Sequence, residues 1–133
     1  MKKRVTAIGG IFFKSKEPKK IYDWYAKHLG ITSNEYGSVF KWRHIDDQEK
    51  TGYTVWSAFK EDTKYFDPGK KEFMINYHVE NLEELLKTLE KEGVTIVGKM
   101  EEYSYGKFGW ILDPEGNKIE LFEPTDEMPE KEA

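Results

Sequence analysis

Apolar and polar positions along this chain follow two rhythms in turn. Residues 5–13 (VTAIGGIFF) are a mostly apolar run of strand length, interrupted by Gly9 and Gly10. After a polar stretch, Ile21, Trp24, Tyr25, His28 and Leu29 recur at helical spacing, which predicts a helix entered at Pro18 and stopped at Gly30. Strand-like stretches follow at 38–45 (SVFKWRHI) and 53–59 (YTVWSAF), with a polar loop between them. The order then returns. A strand at 73–79 precedes a helix that opens at Asn81, buries Leu82, Leu85, Leu86 and Leu89, and stops at Gly93. Glu84, three residues after Asn81, predicts a capping box. Strands at 94–97, 107–112 and 118–122 complete the chain, the last two joined by Asp113-Pro-Glu-Gly-Asn117, a strong turn signal.

The repetition can be tested by sliding the chain on itself. A shift of 64 residues lays Glu17-Pro18 on Asn81-Leu82 and residues 52–56 on 116–120. A shift of 68 lays Phe40-Lys-Trp42 on Phe108-Gly-Trp110. Three ordered pairings predict a duplicated module of about sixty residues. A half-chain of that size buries too little by itself, so two modules should join their sheets, edge to edge or face to face. The expected fold is α+β and a single domain, with one module at about 4–60, the second at about 71–123 and a frayed tail at 124–133. Side-chain alternation assigns Ile75, Tyr77, Val79, Ile119 and Leu121 to the helix side. Met74, Asn76, His78, Glu120 and Phe122 are left on the other face, and such a mixture of polar groups and aromatics suits a concave ligand pocket.

Composition removes several classes of function. With 21 basic and 25 acidic residues the net charge is −4, which gives no electrostatic case for nucleic acid or an anionic membrane. No segment approaches the roughly 20 apolar residues of a membrane span, and none reads as a signal peptide, so a soluble protein with no membrane partner is expected. The absence of cysteine rules out disulfides and thiol chemistry and agrees with a cytoplasmic setting. There is no phosphate-cradling glycine loop, serine elbow or two-histidine zinc helix.

The duplicated module, residues 108–124 (FGWILDPEGNKIELFEP) and residues 24–30 (WYAKHLG) together resemble the vicinal oxygen chelate superfamily, which includes glyoxalase I, bleomycin-resistance proteins and extradiol dioxygenases. The resemblance covers about residues 4–123. It implies two paired βαβββ modules curled around a shared cavity, and a homodimer. In metal-dependent members a divalent ion is held by first-strand residues of each module and a last-strand Glu. Here the last-strand ligand falls on Glu120, the first-strand positions fall at or near Gly10 and on Met74, and the repeat mate of Glu120 is Trp56. Gly, Met and Trp cannot ligate a hard cation, so no metal cofactor is expected.

What remains is a binder of small, partly apolar or aromatic molecules. Trp56, Trp110 and Trp42 would supply stacking surface, while Glu120, Asn76 and His78 supply polarity beside Met74. The alternative is a metal-dependent lyase or dioxygenase-like enzyme that uses Glu120, the best catalytic candidate, with a divalent ion or as a lone base. Each residue also has a plainer reading. The tryptophans could fill a solid core, and Glu120 could pair with Lys118, Arg43 or Lys14. His28 and His44 read as structural or solvated, and residues 103–106 as a pocket rim or an ordinary connection.

Overall fold

The computed structural model describes residues 3–125. β1 (Val5–Ser15) leads into α1 (Pro18–Leu29), β2 (Ser38–Arg43) and β3 (Thr51–Lys60). β4 (Phe73–Val79), α2 (Leu82–Lys91), β5 (Ile96–Tyr103), β6 (Gly106–Leu112) and β7 (Lys118–Pro124) follow. All seven strands join in one mixed sheet in the order β2-β3-β1-β4-β7-β6-β5. The modules meet edge to edge at its centre, where β1 and β4 run antiparallel with Ile11 opposite Ile75. Each first strand lies parallel to the last strand of its own module, β1 with β3 and β4 with β7. This is the paired βαβββ architecture, with one shortfall. The second module has three strands after its helix and the first has two, with only an isolated Asn34–Gly37 bridge in the preceding segment.

Both helices start and stop largely where the sequence signals put them. Pro18 occupies the first turn of α1, and Gly30, at φ 70°, closes it with its N–H on the Ala26 carbonyl. α1 rests on the sheet through Tyr22 and Tyr25, whose rings meet Trp56. Trp24 and Leu29, expected on the buried face, stay half or more exposed. α2 buries Leu82 completely in a core with Val79 and Leu121, and Leu85, Leu86 and Leu89 pack against that core together with Tyr77 and Ile119. Tyr77, Val79, Ile119 and Leu121 are residues that alternation assigned to the helix side. Its capping box does not form. Asn81 takes a left-handed conformation and caps nothing, and the carboxylate of Glu123 instead accepts the Leu82 N–H at 2.8 Å. Glu84 pairs with Lys87 along the helix surface.

Pro124, expected in the tail, belongs with Glu123 to β7, while residues 126–133 lie outside the described residues. β5 also runs well past its expected end, because Gly98, at φ 70°, sits in a bulge between Val97 and Glu101 that breaks the alternation. The 113–117 turn forms as expected, with Asp113 Oδ1 accepting the N–H groups of Glu115 and Asn117. Among the described residues no helix is long and apolar enough to cross a membrane.

Candidate functional site

The face of the sheet turned away from the helices forms a trough, and Glu120 lies in its floor. Cross-strand register sets Glu120 beside Asn76 on β4 and Trp110 on β6. Glu120 Oε1 accepts from Asn76 Nδ2 at 2.6 Å, and Oε2 accepts from the Trp110 indole N–H at 2.9 Å and from the Tyr65 hydroxyl. The residue is only 2% exposed. All three donors are uncharged. A carboxylate out of water needs such partners, because each unmet lone pair costs free energy there. Lys118 does not pair with it by a direct bond. Its ammonium reaches the Tyr65 carbonyl at 2.7 Å and lies over the rings of Tyr65 and Trp110, and desolvation lowers its pKa while Glu120 acts the other way.

Tyr65 comes from the connection between the modules, residues 61–72. Beside it Phe66, almost fully buried, wedges against Phe59 and anchors that connection in the trough. Tyr65 stacks on Phe59 and meets Trp110 edge-on. Burial, followed by the neighbouring Glu120 charge, raises the Tyr65 pKa and keeps the phenol a proton donor. Tyr65 was missed in the sequence, because a loop residue carries no periodicity. Its one signal was an aromatic pair in an otherwise polar linker.

The implied divalent ion does not fit these residues. Glu120 is the sole carboxylate of the cluster among the described residues, both of its oxygens are engaged by protein donors, and its neighbours Tyr65, Asn76 and Trp110 present donor atoms to it. No group of three or more His, Asp or Glu side chains among the described residues could hold a metal ion.

Two expected placements need correction. Trp56 lies on the helix side, against Phe13, Tyr22 and Tyr25, and not in the trough. Register explains the error. Asn76 pairs with Glu120, whereas its counterpart at the 64-residue shift, Phe12, pairs with Ser57, so the last strands are related by one residue less. A slip of one residue turns every side chain to the other face. Met74 is buried in the trough opposite Phe12, and Asn76, not Met74, is the direct neighbour of Glu120.

His78 lies two residues along β4, opposite Phe122, and makes no bond to Glu120. Its ring meets Tyr53, Trp42 and Phe122, and it reaches across β1 because position 9 has no side chain. A Cβ on Gly9 would stand 2.3 Å from His78 Cδ2. Burial, then the charge of His44, pushes the His78 pKa down to about 4, so the imidazole is neutral at physiological pH. This end of the molecule is open. A cleft of about 1060 Å³ is walled by Thr6, Trp42, His44, Tyr53 and His78, with Arg43 among the charged residues around it. Trp42 is fixed there through Thr54, which accepts its indole N–H at 2.9 Å and donates to the Ile8 carbonyl at 2.7 Å. Trp110 and Trp42, offered as partners around one pocket, thus stand apart, one over Glu120 and one at the cleft. Residues 103–106 form the β5–β6 turn, with Tyr103 and Tyr105 stacked on each other.

Paired modules around a central β1–β4 seam, with a buried Glu on the last strand, define a glyoxalase-like protein. The sequence profile of the Glyoxalase-like domain family matches residues 10–122, and the chain belongs to that family, within the vicinal oxygen chelate superfamily. Among solved structures it is similar to methylmalonyl-CoA epimerase from Mycobacterium tuberculosis, at 19% identity and a TM-score of 0.59, covering 94% of this chain and 92% of that one. A variant of the Streptomyces coelicolor methylmalonyl-CoA epimerase, in complex with 2-nitronate-propionyl-CoA, superposes at a TM-score of 0.64 and 15% identity, covering 91% and 99%. A Legionella pneumophila chain described as an NAD-dependent benzaldehyde dehydrogenase gives 0.55 at 13% identity, covering 87% and 98%. At such identities the likeness shows the shared fold. No curated protein sequence matches the chain.

Proposed function

We propose that this protein binds a small, partly aromatic molecule without a catalytic metal, in the cleft beside His78 and not around Glu120. The observation that carries this reading is the division of the trough. Residues 61–72 plug the Glu120 end with Tyr65 and Phe66, while the His78 end stays open and is walled by Trp42, Tyr53 and His44. Trp42, its N–H already satisfied by Thr54, offers a ring face for stacking. A lyase or dioxygenase-like chemistry centred on Glu120 lacks such support, because both carboxylate oxygens are already bonded to protein donors. The same reading includes a homodimer, supported by an uncovered apolar strip on the helix side of the central seam, where Ile8, Ile11 and Phe73 are 49%, 43% and 46% exposed. It also includes a cytoplasmic setting, with which a sequence free of cysteine agrees.

A thermal-shift screen against divalent ions and neutral aromatic compounds tests the proposal. Stabilisation by compounds but not by ions, lost in Trp42→Ala, is the expected result, since a ligand that binds only the folded state raises its melting temperature. Stabilisation by an ion that is lost in Glu120→Gln would overturn it.

A further inference from the structure

His78, on the wall of the cleft, and Asn76, two residues back along β4 and behind that wall, hold buried polar atoms with no protein partner, Nε2 and Oδ1, and both residues are 4% exposed. Each atom lies 2.4 Å from the point where a Cβ on Gly9 would stand, so the two converge on one spot beside the β1 backbone. Atoms so placed are within reach of a single bridging oxygen that makes two hydrogen bonds of about 2.8 Å. Their chemistry is fixed by what surrounds them. Asn76 gives its amide N–H to the acceptor-only carboxylate of Glu120, which orients its Oδ1 as the free acceptor. His78 is neutral, and its ring nitrogen can donate toward the same oxygen. A hydroxyl satisfies both, donating to Asn76 and accepting from His78. An ether oxygen cannot, because it has no proton to give.

The geometry points to a polar subsite, Asn76 with His78, that selects an uncharged flat molecule carrying a hydroxyl group, its ring against Trp42 and Tyr53. His78 belongs to both the cleft wall and the orphan pair, and so links the open space to this point. The side chains that meet at this point, Asn76, Trp42, Tyr53 and Phe122, carry no charge, and the cationic residues of the cleft, Lys3, Arg43, His44 and Lys50, are not among them. The inference rests on the cleft being the binding site.

The test uses three probes of one ring system, 2-naphthol, 2-methoxynaphthalene and 2-naphthoate. Titrations of the full chain are followed by the indole N–H resonance of Trp42, assigned by its loss in Trp42→Phe. The expected result is that 2-naphthol binds about tenfold or more tightly than its methyl ether, the cost of leaving buried polar atoms unpaired. That preference should vanish in a folded His78→Leu protein. Equal affinity for the alcohol and the ether, with Trp42 still shifting, would overturn the subsite and leave the cleft reading intact. Tighter binding of 2-naphthoate would overturn the selection for an uncharged ligand. Failure of every probe to shift Trp42 at millimolar concentration would remove the cleft reading and the subsite with it.

Discussion

His78 shows how one residue's surroundings decide its chemistry. In an unfolded chain its imidazole would titrate near 6.5, and packed among Trp42, Tyr53 and Phe122 it titrates near 4, burial being the main cause and the His44 charge the second. The unfolded state therefore binds more protons between these values, and stability must fall as pH drops from about 6.5 toward 4 and then level off. Unfolding free energies measured at pH 7 and pH 4.5 should differ by about 2 to 3 kcal/mol more in the wild type than in His78→Gln, a group that cannot titrate. An identical pH dependence in the two proteins would contradict a buried neutral imidazole. Side-chain alternation put Met74, Asn76, His78 and Glu120 on one face, and the structure has all four on the face turned away from the helices. Trp56 was misplaced, because a weak repeat fixes the element order but leaves room for a slip of one residue, and one residue is enough to exchange the two faces of a strand.

Elements were read well wherever a single pattern ran unbroken. α2 and the 113–117 turn are examples, since four leucines at helical spacing and a turn rich in Asp, Gly and Asn each leave few alternatives. Local patterns failed where the deciding contact was distant. The N-terminus of α2 is capped from β7, by Glu123, 41 residues along the chain from Leu82. No local rule could choose that carboxylate over the nearby Glu84. Glu123→Ala should cost about 1 kcal/mol of stability, comparable to the loss of an ordinary helix cap, whereas Glu84→Ala should cost a few tenths. Chemical denaturation of the two variants measures the difference, and a larger loss at Glu84 would restore the capping box. β5 was cut short for a related reason. The bulge at Gly98 interrupts alternation in a strand that pairs with β6 on both sides of it.

For the whole molecule, duplication explains both what the fold shares with its relatives and where it departs from them. The antiparallel β1–β4 seam joins two modules into one sheet, and on the helix side α1 and α2 leave Ile8, Ile11 and Phe73 uncovered between them. Back-to-back association of two copies would cover that strip. Ile11→Glu should then turn a dimer into a monomer in analytical ultracentrifugation, and a wild-type protein that sediments as a monomer at all concentrations would remove the homodimer from the account. On the opposite side, the linker supplies Tyr65, which with Asn76 and Trp110 completes a hydrogen-bonded cage around Glu120, and Phe66, which packs against Phe59 beside it. The sequence did not foretell what would surround Glu120, since a loop's position follows from the assembled sheet and from no pattern within the loop.

A crystal structure of the protein grown with 2-naphthol and Mn²⁺, with anomalous difference maps, addresses the central claim in one measurement. The predicted result is an aromatic ring against Trp42 in the cleft beside His78 and no manganese peak at Glu120. A manganese ion coordinated by Glu120, with Tyr65 displaced from its carboxylate, would contradict it.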